Sequence, residues 1–387
     1  MNSLRLILNN RAFFAPAWVF TSINILIGTW ILYLPHIKNK FLLNDAEVGV
    51  ALFFTACGLL ISIPMVPALN ERLGTGRSTK IGVLLLALAF NLPLLAPSYV
   101  LLCASLLLIG LLSGFTDVSM NALMSIIETK EEKHLMSAAH GFFSLGGFIG
   151  AGIGSLFLLS FSHPSGHMLF ISVAVILSNL WLAKYYTKIN EAVERQENAK
   201  KQPFFKRLRP VIGLSLVAFV VMFNEGAVEH WSNLYLFEVV NVPQNQAGYG
   251  FVLFSLSMTL GRFLGDGFSE QFGSIRTLGY GALVALLGYG LILTTHTYGS
   301  ALGFGSLGLG LSVMVPEIYR LAAKNKALPT SVAISTVSGV GFVGFLVGPV
   351  LLGVIAKFSA LWYSYVFLLG SVLLAWGIIL LYLKRKY

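Results

Sequence analysis

Long apolar runs at regular intervals constrain this chain more than any other feature of its sequence. Each run is close to the roughly 20 residues that an α-helix needs to cross the hydrocarbon core of a bilayer. The runs are about twice as long as a barrel strand and do not alternate polar with apolar residues. The runs lie at about residues 12–34, 46–69, 79–97, 99–127, 135–160, 167–187, 210–238, 246–265, 275–295, 298–323, 330–356 and 361–383. The sequence therefore predicts an all-α membrane protein with twelve transmembrane helices.

Composition supports this prediction. The 387 residues are 56% hydrophobic and 11% charged, whereas a soluble domain carries about 25% charged residues. The formal net charge is +10, but the basic residues lie between apolar runs and form no basic domain, which argues against nucleic acid as a partner. Cys57 and Cys103 lie inside apolar runs and are expected to be packing residues. The first run is too long for the core of a signal peptide, so we expect it to be an uncleaved first helix.

The longest polar segment, residues 187–210, divides the apolar runs six and six. We predict an N-terminal six-helix bundle at residues 1–187, a linker at 188–209 and a C-terminal bundle at 210–387. With both termini in the cytoplasm, only Lys38, Lys40 and Lys357 of the 26 basic residues lie outside. The positive-inside rule therefore favours that orientation. We expect a monomer in a bacterial inner membrane.

An internal repeat relates the two predicted bundles. Residues 137–154 align with residues 331–348, so that Ser137 matches Ser331 and Gly150 matches Gly344. A parallel duplication of six helices is typical of one large class of secondary transporter. The repeated glycines allow close helix packing and also allow helices to slide, and these two interpretations are compatible.

Two corresponding loops resemble those of the major facilitator superfamily. The loop after the second run reads PALNERLGTGRSTK, and the one after the eighth reads GRFLGDGFSEQFGSIRTLGYG. Both approximate the superfamily signature G-x-x-x-D-R-x-G-R, although Pro67 replaces the leading glycine and Gln271 replaces an arginine. The resemblance implies two pseudo-symmetric six-helix bundles and a charge latch that is closed when the molecule faces outward. The gating candidates are Glu71, Arg72, Gly74, Arg77, Arg262, Asp266, Glu270 and Arg276.

A narrower resemblance concerns the helices themselves. The segments EGAVEHWSNLYL, DVSMNA, HGFFSLGGFIGA and GFVGFLVGPVLLG are similar to a bacterial branch called YbjJ-like, which is distantly akin to the fucose–proton symporters. The resemblance to this branch implies a small-molecule substrate but does not identify that molecule.

Two carboxylates stand deep in the seventh apolar run. At about 1.5 Å per residue, Glu225 lies roughly 22 Å from Pro210, near the middle of the membrane, and Glu229 lies one helical turn further out. Because an ionised carboxylate in lipid costs at least a few kcal/mol, this helix face is expected to line a polar cavity. Such acids suit proton coupling. The alternative is a structural pairing with His230 or with a basic group on another helix.

A third deep acid, Asp117, lies in the fourth run, with Asn121 one turn away on the same face. The resemblance implies that this helix lines the central cavity and that an acid in it serves proton coupling. The alternative is a structural hydrogen-bonding group.

Weaker candidates complete the predicted substrate and coupling site, and each has a structural alternative. Asparagines suit hydroxyl or amide recognition or bridge helices, a histidine can relay protons or pack as a neutral ring, and a tryptophan can stack on a ring-shaped substrate or belong to the interfacial aromatic belt. These candidates are Asn24, Asn224, Asn233, His140, Trp30 and Trp231. In the tenth run, Glu317 and Arg320 are expected to form a local ion pair, and Pro316 to kink the helix.

The chain carries no constellation typical of an enzyme. Its histidines lack metal-ligand spacing, and the segment from Gly261 to Gly265 is not a phosphate loop. We therefore expect no metal and no cofactor, with the proton gradient as the driving force. The favoured function is proton-coupled transport of a small polar, sugar-like solute. The alternatives are an antiporter that expels cationic or amphipathic compounds and a non-transporting receptor.

Overall fold

The structure is a computed structural model that describes residues 2–43, 45–153, 161, 163–190, 203–242 and 249–386. A short helix, Asn2–Asn9, precedes the first apolar helix. The six helices of the N-terminal half are α1 (Arg11–Ile31), α2 (Asp45–Ser62, continued through Ile63–Met65 to Val66–Leu73), α3 (Thr75–Ala89), α4 (Tyr99–Glu131), α5 (Met136–Gly147, continued as a π-turn over Phe148–Ile153) and α6 (Pro164–Leu182).

The C-terminal half repeats this order. Its helices are α7 (Phe204–Glu238), α8 (Tyr249–Phe272), α9 (Ser274–Ile292), α10 (Thr297–Ser312 and Met314–Ala323), α11 (Thr330–Phe358) and α12 (Leu361–Ile378, continued through Ile379–Leu383). The side of the molecule at which α6 ends and α7 begins is called the linker side below.

Ten helices within the described residues are long and apolar enough to cross a membrane. The other two members of the set are α5 and α8. Helix α5 runs up to residue 153, where the described range ends, and α8 is more polar because it carries Arg262, Asp266 and Glu270. The all-α fold with twelve transmembrane helices is confirmed.

Glycines bring equivalent helices together in the two halves. A side chain at Gly150 of α5 would collide with the carbonyl oxygen of Ile25 in α1. A side chain at Gly344 of α11 would collide with the carbonyl oxygen of Phe219 in α7. Gly344 and Phe219 each lie 194 residues after their counterparts in the first half. The same backbone contact therefore recurs at the spacing of the sequence repeat.

Helix α10 is interrupted near Pro316, as the sequence predicts. Its first part ends at Ser312 and its second part begins at Met314. Proline lacks an N–H group and its ring clashes with the carbonyl four residues earlier, which is that of Ser312. Glu317 and Arg320 stand on the second part.

The predicted linker differs from the structure at both of its ends. Helix α7 begins at Phe204, before the predicted boundary at residue 210. At the other end, the segment Tyr186–Asn190 lies against the start of α3, where the Gly76 N–H donates to the Ile189 carbonyl at 2.9 Å. Both ends of the linker are therefore ordered parts of the two bundles.

In the described residues the two halves meet where α5 packs against α8 and α10, α2 against α11, α4 against α10 and α11, and the helix Asn2–Asn9 against α8. The rings of Phe142 and Phe263 lie edge to face with centroids 5.9 Å apart. A side chain at Gly339 of α11 would come within 3.3 Å of Ile63 in α2. These contacts position the polar groups described below.

We expect Gly344→Ala to lower the free energy of unfolding by about 1–3 kcal/mol, because the new methyl group forces α11 away from α7. In Gly370→Ala, on α12, the methyl group would meet nothing within 4 Å. The free energy of unfolding of this control is expected to stay the same or to rise by up to about 1 kcal/mol, because alanine has a higher helix propensity than glycine. Thermal unfolding of both variants in one detergent checks the difference, and equal midpoints would contradict the close packing of α7 and α11.

Candidate functional site

A buried arginine joins the two halves on the linker side. Arg320 of α10 donates from Nε and Nη2 to the carboxylate of Glu128 in α4, at 3.1 and 2.8 Å. The same guanidinium donates to Asp266 of α8 at 2.8 Å, to the Ser269 hydroxyl at 3.0 Å, and to Glu317 one turn back on its own helix. All three carboxylate side chains and the arginine are at most 7% exposed. These four charged residues are called the linker-side latch.

The latch also completes the start of α5. The first N–H groups of a helix have no partner within the helix and carry partial positive charge. Here Glu128 accepts from the N–H groups of Leu135 and Met136, at 2.5 and 2.7 Å. Asp266 accepts from the next two N–H groups, at 3.0 and 2.7 Å. One helix end is thus capped by a carboxylate from each half of the molecule.

The contacts of the latch divide cleanly between the halves. If the halves separate, Arg320 loses Glu128, and Asp266 loses the N–H groups of α5. Arg320 then keeps Asp266 and Glu317 as partners, and Glu128 keeps the N–H groups of Leu135 and Met136. Because no charge is left without a partner, opening avoids the several kcal/mol that an orphaned buried ion costs.

A histidine in the loop between α4 and α5 adjoins the latch. His134 lines a cavity of about 280 Å³ together with Glu128, Lys133, Arg320 and Lys324. Burial and the neighbouring Arg320 lower the pKa of His134 below its usual value. The lowered pKa favours the neutral ring, which adds no positive charge to the latch.

The latch uses residues that differ from most of the predicted gating set. Among that set, Asp266 is a latch member and Gly74 forms a turn with a φ of 88°. Glu71 is half-buried, at the end of α2. The remaining loop residues have exposed side chains and stand outside the latch: Arg72, Arg77, Glu270 and Arg276. The predicted ion pair of Glu317 with Arg320 is present, and sequence analysis missed Glu128 as its partner across the halves.

A second polar cluster lies deeper, between the halves, and begins on α4 and α5. The Asp117 carboxylate accepts from Asn121 Nδ2 at 3.2 Å. The Asn121 amide oxygen lies 3.1 Å from Nε2 of His140. The Asp117 Oδ2 atom is buried and has no hydrogen-bond partner within the described residues. The N-terminal half thus contributes an acid, an amide and an imidazole in hydrogen-bonding order.

Polar groups of the C-terminal half face this series of hydrogen-bonded side chains. The Ser338 hydroxyl of α11 lies beside the Asp117 carboxyl and accepts from the Tyr319 hydroxyl at 3.1 Å. The Tyr319 ring in turn lies 6.0 Å from the ring of His140, centroid to centroid. Asp117 is therefore enclosed by polar groups from both halves.

Arginine 262, predicted as a gating residue, lies in this deeper cluster. Its Nη1 donates to the Ser144 hydroxyl of α5 at 2.6 Å, and its Nη2 lies 3.5 Å from the Glu225 carboxylate. Glu225 is 17% exposed and Arg262 is 11% exposed, whereas Arg320 in the latch is 3% exposed. The ion pair is long for a charge-assisted hydrogen bond. The residues just described, Asp117, Asn121, His140, Ser144, Glu225, Arg262, Tyr319 and Ser338, are called the central cluster.

Two predicted asparagines bridge helices outside the central cluster. The Asn24 amide donates to the Phe143 carbonyl at 2.9 Å and so joins α1 to α5. Asn224 is fully buried, donates to Ser371 at 3.0 Å and accepts from the Tyr289 hydroxyl at 2.5 Å. Although Asn224 precedes Glu225 in sequence, it points about 100° away around the helix and joins α7 to α9 and α12.

The remaining predicted residues are two tryptophans and two polar residues of α7. Trp30 is buried in the core of the N-terminal half. Trp231 is half-buried, and a side chain at Gly353 of α11 would come within 3.2 Å of its ring. Glu229 and Asn233 have exposed side chains on the part of α7 beyond Glu225. The structure thus brings together Asp117, Asn121, His140, Glu225 and Arg262.

We expect Glu128→Gln to favour opening on the linker side, because it removes the charge that holds Arg320 across the halves. A hydrogen bond to a charged group contributes about 1.5–3 kcal/mol, so the ratio of open to closed molecules should rise roughly ten- to hundredfold. Distances between spin labels at Lys130→Cys and Arg276→Cys, in a background without Cys57 and Cys103, report this ratio.

Glu131→Gln is the matched control for that experiment, because this side chain is exposed on the same helix. It should leave the distance distribution unchanged. Identical distributions for Glu128→Gln and the unsubstituted protein would contradict the role of the latch.

Asn224→Leu is expected to act on stability alone. It leaves the Tyr289 hydroxyl buried without its acceptor, which costs about 1–3 kcal/mol. The thermal midpoint should fall, while the apparent affinity for any transported solute should stay within about twofold. A large loss of affinity at an unchanged midpoint would instead assign Asn224 to the binding site.

Comparison with known proteins identifies relatives along nearly the whole chain. The chain is 28% identical over 338 residues to an uncharacterised MFS-type transporter of Yersinia pestis, covering 87% of this chain and 86% of the relative. It is 28% identical over 357 residues to the membrane protein MosC of Rhizobium meliloti, covering 92% and 86%. It is 23% identical over 366 residues to a glucose/galactose transporter of Brucella abortus, covering 88% of each chain.

A solved structure shares the fold. The fucose:proton symporter FucP of E. coli superposes with a TM-score of 0.78 at 15% identity, covering 95% of this chain and 97% of that one. The family model described as Major Facilitator Superfamily matches residues 14–328. With its twelve helices in two halves and its polar groups between them, this chain belongs to the major facilitator superfamily and is a transporter, not an enzyme.

Proposed function

We propose that this protein is a proton-coupled secondary transporter of a small polar, sugar-like solute, with Asp117 and Glu225 as the proton carriers. The observation that carries the proposal is the central cluster, in which these two acids stand between the halves. Alternating access moves the halves against each other around such a site. Groups held by one half and faced by the other change partners in that movement, and a change of partner is what alters the proton affinity of an acid.

Asp117 and Glu225 have different kinds of partners, which suits them to different steps of the transport cycle. Asp117 bonds to Asn121 on its own helix and lies beside Ser338 of the other half. Glu225 faces Arg262 of its own half at 3.5 Å. Protonation of Glu225 would weaken this ion pair and release the Arg262 guanidinium. Protonation of Asp117 would turn an acceptor into a donor toward Ser338 or a substrate hydroxyl.

A sugar-like substrate is favoured by the chemistry of the lining and by the relatives. The central cluster offers hydroxyl, amide and carboxyl groups at Ser144, Ser338, Tyr319, Asn121 and Asp117, which suit a solute with several hydroxyl groups. One relative is named as a glucose/galactose transporter, and the structural neighbour FucP is a fucose:proton symporter. These names support the substrate class and leave the particular solute open.

The charge distribution supports a cytoplasmic linker side, with both termini there. The linker and neighbouring loops carry most of the Lys and Arg residues, as the positive-inside rule expects for a cytoplasmic side. In that orientation the closed latch lies at the cytoplasmic end, and we propose that the solute enters from the opposite side. Glu229 and Asn233, exposed on the outer part of α7, then line the entrance, because a carboxylate facing lipid is costly. A bacterial inner membrane and a monomeric state complete the proposal.

We expect the double substitution Asp117→Asn with Glu225→Gln to abolish proton movement that depends on solute. The exchange of labelled solute across the membrane, which needs no net proton transfer, should be retained at least in part. Proteoliposomes with a pH-sensitive dye inside, tested against a panel of sugars, provide both measurements. Glu238→Gln, at the exposed outer end of α7, is the matched control and should keep full coupling.

The direction of proton flow separates the alternatives. Protons that enter with the solute support symport, whereas protons that leave as it enters would replace symport by the antiporter hypothesis. Binding without flux would indicate a receptor. Full coupling in the double variant would remove Asp117 and Glu225 as carriers, whichever direction the protons take.

A further inference from the structure

Two equivalent turns on the linker side have different surroundings. Gly74 before α3 and Gly273 before α9 both adopt positive φ, at 88° and 79°. In the N-terminal half, the space beside this turn is filled by the segment Tyr186–Asn190, since side chains at Gly74 and Gly76 would collide with Asn190 and the Tyr186 carbonyl. The chain itself therefore occupies this position in one half.

In the C-terminal half the corresponding space is an open cleft. It has a volume of about 970 Å³ and lies between the start of α9, the end of α12 and the segment after α10. A side chain at Gly273 would meet nothing within 4 Å, and one at Gly279 would meet only Leu380, at 4.0 Å. The described part of the chain thus leaves room here for a molecule of substantial size.

The cleft is strongly basic at its linker-side end. Four cationic side chains line it, all of them exposed: Arg276, Lys324, Lys326 and Lys384. No carboxylate is among the lining residues in the described part of the chain. The N-terminus of α9, a helix of 19 residues, also lines the cleft at Ser274 and adds N–H donors for an anion.

The rest of the cleft is apolar and faces the membrane. Leu283 of α9 and Leu380 of α12 are each 39% exposed, and Tyr280 is 50% exposed. Trp376 of α12 is a half-buried wall of the same cleft. A ligand that matches this surface has an anionic end on the linker side and an apolar body that runs along α9 and α12.

We propose that this cleft binds one anionic phospholipid, with its phosphate among the four cations and its acyl chains against Leu283 and Leu380. A basic pocket beside membrane helices is a recognised setting for such headgroups. A free phosphate ion would use the cations and leave the apolar walls uncovered. The site is separate from the central cluster, so it does not depend on the proposed substrate or on proton coupling.

Native mass spectrometry of the purified protein, titrated with dioleoyl phosphatidylglycerol or dioleoyl phosphatidylcholine, tests the proposal. The unsubstituted protein should retain one phosphatidylglycerol in clear preference to phosphatidylcholine. Arg276→Gln with Lys326→Gln and Lys384→Gln should weaken that binding about tenfold or more, given the usual strength of attraction per basic residue at a membrane surface. Gly279→Leu should weaken it by filling the cleft while all four charges remain.

Two controls make the test specific. Lys130→Gln with Lys188→Gln and Lys206→Gln removes three exposed charges elsewhere on the linker side and should leave binding unchanged. Gly290→Leu adds the same side chain to α9 at a position with nothing within 4 Å and should also bind normally. Equal retention of the two lipids, unchanged binding in the cleft variants, or displacement of the lipid by millimolar inorganic phosphate would each overturn the proposal.

Discussion

A buried ion in a membrane protein needs a partner whether the two halves are together or apart. The Arg320 guanidinium has carboxylate partners in both halves. Glu128 ties it to the N-terminal half, while Asp266 and Glu317 hold it within its own half. Removing a partner from a buried ion pair costs several kcal/mol. The latch avoids that cost on opening, because each charged group keeps at least one partner on its own side. The closed state is therefore stable, and the halves can still separate without leaving a buried charge unpaired.

The arginine of the central cluster makes fewer and longer contacts with carboxylates than the arginine of the latch. In the latch, Nε and Nη2 of the arginine both reach a carboxylate, whereas Arg262 Nε is buried without a partner in the described residues and its carboxylate is 3.5 Å away. Asp117 likewise has one carboxylate oxygen without a hydrogen bond there. Unmet hydrogen-bonding capacity inside a protein is costly, and a transporter can use it to bind solute and proton. In the described residues the latch also has an unpaired oxygen, Glu317 Oε2, but all three nitrogens of its arginine bond to carboxylates. We propose that the unmet hydrogen-bonding capacity around Arg262 and Asp117 serves to bind cargo.

Sequence patterns predict helices and kinks, because these depend on neighbouring positions in the chain. They do not predict contacts between residues far apart in the sequence, because the order of residues gives no distance in space. Hydropathy identified all twelve helices, and proline chemistry located the interruption of α10. The deep acids Asp117 and Glu225 stood out because charge is rare in apolar runs. Glu128 did not, since a glutamate at the end of a helix beside Lys130 resembles a solvated surface residue. Its partner Arg320 is 192 positions away, and only the packing of α4 against α10 brings them together. Asn224 matches Glu225 in depth but points in another direction, and its contacts to Ser371 and Tyr289 are those of the helix-bridging alternative.

In the proposed mechanism, the acids between the halves take up and release protons while the helices around them stay folded. Infrared difference spectroscopy between alkaline and mildly acidic buffer measures this directly through the C=O band of protonated carboxyl groups. We expect a band from buried acids that loses intensity in Asp117→Asn and again in Glu225→Gln, with thermal midpoints close to that of the unsubstituted protein. A band of the same intensity in both variants would contradict it.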